Sequence, residues 1–406
     1  MLWARLVGSW EHDRGLTKYC LVCMFARLVQ LSRNQRIPLY LGGMMGPFGG
    51  TVLIPMIPEL RTTFETTTAT MGWGLGAYFF PYALLLLVSG SIGERWGRSK
   101  CVQTAFFTYA LAALVCVASP NLGWFFAGRA MQGTANAFMT PLLLASLVDA
   151  TEPERLGRSM GSYAAFQALG GVLGLLVGGI SADGNWRWAF IAISIMSAIL
   201  LVFLLQRPVE ESVNTNLVSI RKLLSGRMLA LGLMALATSA GPAGVGVLVA
   251  IVARDNIGLS GSAAGLVLVS GTLTAAAFGP IWGRFIDLIG ARRAGVVGVI
   301  LSSLSAVLLI WVSTASGLVV VWMLGGAAAG FVATSYQSLA AVAVTGNRGG
   351  GISFVLSHRF LGSAIGPLIW LPVYSNSPMS AFLGCASLGA LALVAVIASG
   401  YDTLPS

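Results

Sequence analysis

The sequence predicts an all-α membrane protein with twelve transmembrane helices in two pseudo-symmetric six-helix bundles. Composition is the first observation behind this prediction. Of the 406 residues, 56% are hydrophobic and only 9% are charged, whereas about a quarter of the residues are charged in an ordinary soluble domain. The other two observations are the number of long apolar stretches and an internal repeat. Together they exclude a soluble globular protein.

The apolar stretches set the order of the helices. A membrane-spanning helix needs roughly 20 mainly apolar residues. Twelve stretches are long enough, six on each side of a polar segment, and they cover residues 38–58, 71–92, 101–118, 122–147, 160–181, 187–205, 228–251, 262–283, 294–313, 317–344, 351–373 and 379–400. We therefore expect the following organisation: an N-terminal tail over 1–37, a first bundle over 38–205, a central loop over 206–227, a second bundle over 228–400 and a C-terminal tail over 401–406.

A short basic motif occurs twice. Gly90, Glu94 and Gly97 of the first copy return as Gly283, Asp287 and Gly290, a constant offset of 193 residues from 90 to 283. Each copy follows one predicted span and precedes the next. We therefore expect two tight, charged turns at the same face of the membrane.

Small residues and prolines repeat at nearly the same offset. Glycines four residues apart share one helix face and let two backbones approach closely, and a proline inside a helix removes a hydrogen bond and can bend it. The sequence leaves packing and hinge bending open as roles for these positions, which are Gly46, Pro47, Gly170 and Gly174 in the first half and Gly241, Pro242, Gly362, Gly366 and Pro367 in the second.

The distribution of basic residues along the chain indicates how the chain crosses the membrane. The formal net charge is +10, which in a soluble protein would suggest nucleic acid. With the N-terminus inside, however, only Arg61, Arg187 and Arg254 of the 24 basic residues lie outside and only Arg129 and Arg359 lie within spans. This is the positive-inside distribution of a multi-pass membrane protein. Both termini are therefore expected in the cytoplasm.

The repeated motif resembles the major facilitator superfamily. That family has Gly-x-Leu-Ala-Asp-Arg-x-Gly-Arg-Lys between helices two and three. The matching residues are Gly90, Glu94, Arg95, Gly97 and Arg98 in the first copy and Gly283, Asp287, Gly290 and Arg292 in the second.

Three further motifs extend the resemblance towards the drug:proton antiporter branch. Helix four resembles the family's Arg-x-x-Gln-Gly motif at Arg129, Gln132 and Gly133, and Trp186 opens an aromatic motif at the start of helix six. Helix five resembles the antiporter motif through Gly170, Gly174, Gly178 and Gly179, although Leu175 stands where that motif has proline. The resemblance covers about residues 38 to 400 and implies a monomeric secondary transporter.

The resemblance also implies a conformational latch at the first turn. In the family, the carboxylate of this turn meets the N-terminal dipole of helix eleven when the protein faces outward, and a helix N-terminus does stabilise a negative charge. The alternative is that these charges only mark a cytoplasmic turn. The candidate latch residues are Gly90, Glu94, Arg95, Gly97, Arg98, Asp149, Asp287 and Arg292.

Three ionisable residues within the spans are candidates for proton coupling or for binding substrate charge, because such groups are costly in a membrane. Arg129 fills the family's arginine position, but could instead extend to the interface. His358 and Arg359 lie deep in helix eleven. Histidine changes charge near neutral pH, so His358 is the candidate proton carrier. The alternative for His358 is a neutral ring bonded to a backbone carbonyl.

No acidic residue falls in the middle of a predicted span. The charge buried there is positive, so we expect neutral or anionic amphipathic substrates rather than organic cations. The remaining cavity candidates are aromatic or amide side chains, any of which could instead face lipid or another helix; they are Tyr78, Phe79, Gln132, Asn136, Gln167, Tyr336 and Gln337.

Two transport functions remain open at this stage. The first is proton-coupled efflux of lipophilic neutral or anionic compounds, and the second is uptake of a small anionic metabolite. No nucleotide-binding, zinc-protease or hydrolase motif is present, so we expect no enzymatic activity, cofactor or metal. The expected partners are a small-molecule substrate, protons and the lipid bilayer of a bacterial cell membrane, without nucleic acid.

Overall fold

The computed structural model describes residues 37–206, 224–344 and 348–400, and every regular element in these ranges is a helix. The predicted N-terminal tail, most of the central loop and the C-terminal tail lie outside these ranges. The first half comprises α1 (Ile37–Thr51, continued by Ile57–Thr63), α2 (Thr68–Trp96), α3 (Arg98–Val117), α4 (Leu122–Asp149), α5 (Leu156–Asp183) and α6 (Arg187–Gln206). The second half comprises α7 (Gly226–Ala240, continued by Gly246–Ile251), α8 (Gly261–Ile289), α9 (Ala291–Leu308), α10 (Ala315–Ala343), α11 (Arg348–Asn376) and α12 (Pro378–Ala398).

These helices follow the order of the twelve predicted stretches. Within the described ranges, 10 helices are long and apolar enough to cross a membrane. The other two are the first part of α7, which is a shorter apolar helix, and α4, which contains the polar residues Arg129, Gln132 and Asn136. The all-α membrane fold is confirmed, and the exact number of twelve crossings stays a prediction.

Helix packing repeats between the two halves. In the first half α1 packs on α5, α2 on α4, and α3 on both α4 and α6. The second half has the same pairs, with α7 on α11, α8 on α10, and α9 on both α10 and α12. The halves meet through α2 with α11 and through α5 with α8. The structure is therefore a pair of similar bundles.

The repeated glycines are close-packing sites. A Cβ on Gly170 or Gly174 would collide with the backbone carbonyl of Met44 or Phe48 on α1. In the second half, a Cβ on Gly366 would lie 3.0 Å from the Ala240 carbonyl oxygen of α7. Since α5 and α11 run unbroken through these glycines, their role here is helix packing.

The breaks in α1 and α7 differ from the continuous helices predicted there. Residues 52–56 interrupt α1, where Pro55 lacks the amide that would bond back to Thr51. The helix is continuous through Gly46 and Pro47. In α7 the break begins at Gly241 and Pro242, and a hinge at that site stays a prediction.

Each repeated motif lies mostly on a helix, and the predicted tight turn is confined to its end. α2 continues through Glu94 and Arg95 to Trp96, and α8 continues through Asp287 to Ile289. The chain reverses at single residues, Gly97 with φ of 91° and Gly290 with φ of 85°. Only glycine adopts such backbone angles without strain, which explains why both copies have glycine there.

The two halves approach each other closely at only one end of the bundle. The end that carries Arg95, Arg158 and Arg292 is called the basic end below, and the opposite end is called the far end. Near the far end, a Cβ on Gly265 of α8 would lie 2.7 Å from the Leu175 carbonyl oxygen of α5. Towards the basic end of the same two helices the space is open, with no neighbouring atom within 4 Å of a Cβ on Gly157, Gly161, Gly279 or Gly283.

Candidate functional site

Arg129 lies at the centre of the first bundle, and its side chain is 0% exposed. Its Nη1 donates to the Gly49 carbonyl of α1 at 3.0 Å and to Oε1 of Gln132 at 2.7 Å, and its Nε donates to the Gly74 carbonyl of α2 at 3.3 Å. The guanidinium also lies over the Tyr78 ring, 4.4 Å from its centroid. Arg129 therefore joins α1, α2 and α4, and the alternative that it extends to the membrane interface is wrong.

Two predicted cavity residues belong to this same buried network. Gln132 is 0% exposed and accepts from Arg129. The Tyr78 hydroxyl donates to the Gly46 carbonyl at 2.8 Å, beside the Tyr109 hydroxyl, which donates to the Met45 carbonyl. Tyr78 and Gln132 are thus part of the packing core of the first bundle, where neither faces a cavity.

An aromatic cluster lies between the halves. The Phe360 ring of α11 packs 4.4 Å from the Tyr82 ring and 5.9 Å from the Phe79 ring of α2, measured between centroids. One turn away, the Ser357 hydroxyl donates to the Ala83 carbonyl at 2.6 Å. The predicted candidate Phe79 therefore lies at the interface between the bundles, and sequence reasoning missed Tyr82 and Phe360.

Arg359 lies beside this aromatic cluster, in the interior of α11. It is the twelfth residue of a 29-residue helix, about 16 Å from the helix start at a rise of 1.5 Å per residue. The guanidinium lies 5.6 Å from the Phe360 ring centroid and close enough to Tyr82 and Tyr336 to act on them electrostatically. Within the described ranges it forms no ion pair.

Polar groups of the first bundle complete the surroundings of Tyr82. The Asn136 side chain, 1% exposed, accepts from the Thr140 hydroxyl at 2.9 Å. Both residues lie near Tyr82. The structure thus brings the predicted candidates Asn136, Tyr336 and Arg359 to one place between α4, α10 and α11.

His358 points away from its neighbour Arg359. Its ring packs against Gly232 of α7 and against Phe354. Its Nδ1 lies 2.8 Å from the Phe354 carbonyl oxygen, which can only accept, so Nδ1 carries the proton. This contact matches the alternative for His358, a neutral ring bonded to a backbone carbonyl. His358 and Arg359 therefore do not act as a pair, because adjacent helix residues differ by about 100° in direction.

The two remaining amide candidates do not join this site through hydrogen bonds. Gln337 of α10 donates to the Ala333 carbonyl of its own helix at 3.1 Å. Gln167 of α5 is partly buried beside Phe166, whose ring stacks on Tyr40.

The latch candidates of the first motif copy form a cluster at the basic end. Arg98, 5% exposed, donates to Oε1 of Glu94 from Nε at 2.7 Å and forms an ion pair with Asp149. Arg95 is exposed outside this cluster. This cluster ties the ends of α2, α3 and α4 together.

Within the described ranges, the second copy of the motif shows no equivalent cluster. Asp287 is exposed and forms no ion pair within the described ranges, and Arg292 donates to the Ile397 carbonyl of α12 at 2.8 Å. Gly90 has no neighbour within 4 Å of a Cβ position, so this side of α2 is open at the basic end. The latch function itself stays a prediction.

Ion pairs at the far end join the two halves, and sequence reasoning missed them as a site. Arg254 of α7 pairs with Glu59 of α1, and Arg61 pairs with Asp255 at 2.9 Å. A sequence signal existed, since Glu59 and Arg254 are 195 residues apart, the offset that separates Gly46 from Gly241. Equivalent residues of opposite charge near a pseudo-two-fold axis can meet across it.

No group of three or more histidine, cysteine, aspartate or glutamate residues suitable for a metal ion occurs in the part of the chain that the structure describes. The arrangement combines an aromatic and polar site between two bundles with ion pairs that close one end.

Comparisons with known proteins agree with this architecture. A family model described as Major Facilitator Superfamily matches residues 39–251 and 228–405. The uncharacterized MFS-type transporter YceJ of Bacillus subtilis (strain 168) is 30% identical over 153 residues, which cover 38% of this chain and 39% of YceJ. Puromycin resistance protein pur8 of Streptomyces alboniger is 31% identical over 141 residues, which cover 34% of this chain and 28% of pur8. The matched part is less than half of each relative.

A solved structure extends the likeness to nearly the whole chain. The nucleoside transporter NupG has a TM-score of 0.73 at 14% identity, and the match covers 91% of this chain and 100% of NupG. At this identity the likeness concerns the fold.

Proposed function

Because the chain belongs to the major facilitator superfamily, we propose that it is a proton-coupled exporter of lipophilic neutral or anionic small molecules that works by alternating access. The two similar bundles, which meet at the far end and along α2 and α11 and leave open space between α5 and α8 towards the basic end, supply the moving parts. Alternating access requires a site whose contacts differ between two states, and the interface between α2 and α11 is placed for this.

The proposed substrate class is based on the position of the Arg359 guanidinium. This guanidinium lies 5.6 Å from the Phe360 ring centroid and within electrostatic range of Tyr82 and Tyr336, and it has no carboxylate partner in the described ranges. A cation in such a low-dielectric setting attracts a negative or strongly hydrogen-bonding group of a ligand, and the rings offer apolar contact area. Together they favour an amphipathic substrate with an anionic or acceptor group.

The positions of the acidic side chains support the same substrate class. Asp149, Asp183 and Asp287 lie in the last turns of their helices, as does Glu94 near the end of α2. None of the described carboxylates lies beside Arg359. A lipophilic cation would therefore meet only positive charge at this depth.

Export is favoured by the similarity to pur8, a puromycin resistance protein. Uptake of a small anionic metabolite is the second candidate function, with Arg359 as the group that binds the anion. It draws support from the fold neighbour NupG, a nucleoside transporter. In both cases we expect a monomer in a bacterial cell membrane, with the basic end in the cytoplasm.

His358 is the proposed proton carrier. With Nδ1 donating to the Phe354 carbonyl, the other ring nitrogen is left to gain and lose a proton. Arg129 supports the first bundle as a rigid unit in this proposal, since all its described partners lie within that bundle.

Transport by purified protein in liposomes tests the proposal. A pH gradient of either direction is imposed, and accumulation of a neutral, an anionic and a cationic fluorescent probe is followed. We expect export of the neutral and anionic probes when the opposite compartment is acidic. Preferential transport of the cation would overturn the substrate class, and indifference to the gradient would overturn proton coupling.

Arg359→Gln isolates the role of the positive charge. We expect it to lose most transport of the anionic probe and to keep transport of the neutral one. Arg158→Gln is the matched control, because Arg158 is exposed at the basic end. Equal loss of both probes in Arg359→Gln would contradict an anion-binding role.

A further inference from the structure

Arg254 is the shared partner of two carboxylates at the far end. It forms an ion pair with Glu59 and lies 4.0 Å from Oδ1 of Asp183, and its Nη1 donates to the Leu259 carbonyl at 2.9 Å. The cluster connects the end of α1 with the end of α7 and with the start of α8. Any separation of the two halves at this end has to break the contact between Glu59 and Arg254.

Glu59 and Asp183 depend on Arg254 to different degrees. Both oxygens of Asp183 accept backbone amides at the start of α8, from Gly261 at 2.5 Å and from Ser262 at 2.8 Å. Asp183 therefore keeps its hydrogen bonds without Arg254. Glu59 has Arg254 as its one side-chain partner in the described ranges, and its Oε2 is buried without a hydrogen bond.

A pocket brings solvent to the other side of Glu59. It has a volume of about 470 Å³ and is lined by Glu59, Pro58, Thr62, Thr63 and residues 184–187. The pocket lies wholly at the far end, between the end of α1 and the start of α6. Glu59 thus lines this pocket and also contacts Arg254, so a proton can reach its side chain from the pocket while the two halves remain closed.

We propose that Glu59 is a proton-binding site loaded from the far side, and that its protonation releases Arg254 and lets the far end open. The proton comes from the solvent in the pocket and binds a carboxylate oxygen, and no covalent bond breaks. The neutral acid keeps a hydrogen bond at most and loses the charge attraction to Arg254. Oε2 of Glu59 is buried and has no hydrogen-bond partner in the ion-paired state, so the added proton can be held on this oxygen.

The other charged groups around Glu59 fit this assignment. Asp183 and Arg254 face it across the interface, and Arg187 lines the same pocket. The second tie between the halves, Arg61 with Asp255, has side chains that are 34% and 31% exposed. Solvent-exposed pairs contribute little to stability, and Asp183 keeps its bonds to the Gly261 and Ser262 amides whether or not Glu59 is charged. The tie through Glu59 is therefore the one that protonation weakens.

This inference rests on the alternating access proposed above, but its test needs no substrate. Spin labels at Trp124→Cys and Ser316→Cys, exposed at the far ends of α4 and α10, report the separation of the halves in lipid nanodiscs. The five native cysteines are first replaced by serine or alanine. Double electron–electron resonance then measures the distance distribution between about pH 8 and pH 5, a range that covers the titration of a partly buried carboxyl group.

We expect the long-distance population of the otherwise unaltered protein to increase severalfold as the pH falls. Glu59→Gln, which imitates the protonated acid, should show that population already at the higher pH and should respond little to acid. Glu65→Gln is the matched control, because Glu65 is an exposed carboxylate at the same end, and it should behave as the unaltered protein does.

Two results would overturn the proposal. One is a distance distribution that does not change with pH, and the other is a Glu59→Gln protein that titrates as before. Arg254→Gln provides a second check, since it should open the far end at every pH. Failure of transport with intact pH-dependent opening would count against the proposed exporter alone, whereas pH-driven transport without pH-dependent opening would count against Glu59 alone.

Discussion

Arg129 and Gln132 lie one helical turn apart on α4, and the guanidinium donates to Oε1 of Gln132 at 2.7 Å inside a fully buried core. The same guanidinium reaches the carbonyls of Gly49 on α1 and Gly74 on α2. Three helices of the first bundle therefore share one cation. The arrangement uses the fork shape of arginine, whose donors point in several fixed directions at once.

Arg129→Lys is expected to destabilise the protein by about 2 kcal/mol, because the acceptors are divided between Nε and Nη1, which a single ammonium nitrogen does not replace, and each unsatisfied buried group costs about 1 to 3 kcal/mol. Thermal unfolding in detergent, followed by tryptophan fluorescence, measures the change. Arg158→Lys, at an exposed position, should leave the midpoint in place. An unchanged midpoint for Arg129→Lys would contradict the bridging role.

Gly170→Ala and Gly161→Ala should have opposite effects, although both lie on α5. The new methyl group at 170 collides with the Met44 backbone of α1, while the position at 161 is open. We expect Gly170→Ala to cost about 1 to 3 kcal/mol through overpacking. Gly161→Ala should stabilise the protein by up to about 1 kcal/mol through helix propensity.

Unfolding midpoints of the two glycine variants under identical detergent conditions check this prediction. A loss of stability of similar size in both would show that the helix surface, rather than the contact with α1, sets the requirement for glycine.

Arg98→Met should slow transport without weakening substrate binding. The variant removes the cation that holds Glu94 and Asp149 together and leaves two carboxylates facing each other at the basic end. We expect a several-fold lower transport rate and an unchanged probe affinity, measured by transport in liposomes and by fluorescence titration. Arg95→Met is the control, since Arg95 is exposed beside the cluster; an equal effect of both variants would assign it to net charge alone.

His358→Gln should preserve the local contact with the Phe354 carbonyl, because the glutamine amide can still donate, while removing the ring nitrogen proposed to carry the proton. We expect transport driven by a pH gradient to fall severalfold and its pH dependence to flatten. Facilitated exchange of the neutral probe without a gradient serves as the control for folding. Unchanged gradient-driven transport would return His358 to a purely structural role.

Several positions could be understood from the sequence because their role depends on local spacing. Gly170 and Gly174 share a helix face by their separation of four residues, and their repeat mates do the same in α11. The glycines at 97 and 290 stand out as matched ends of a repeated motif. In contrast, nothing local indicates that Arg129 bonds to the backbone of α1 and α2, because any sequence supplies such carbonyl groups.

The sequence by itself determined the membrane location, the order of the helices and the division into two like halves, because each follows from hydropathy, length and repetition along the chain. Only the tertiary structure decided which side chains meet. It directs Arg359 to the aromatic interface and His358 to α7, and it pairs Glu59 with Arg254 across the far end. The physical reason is that these contacts depend on helix rotation and on the packing of distant segments, which the periodicity of a single helix does not specify.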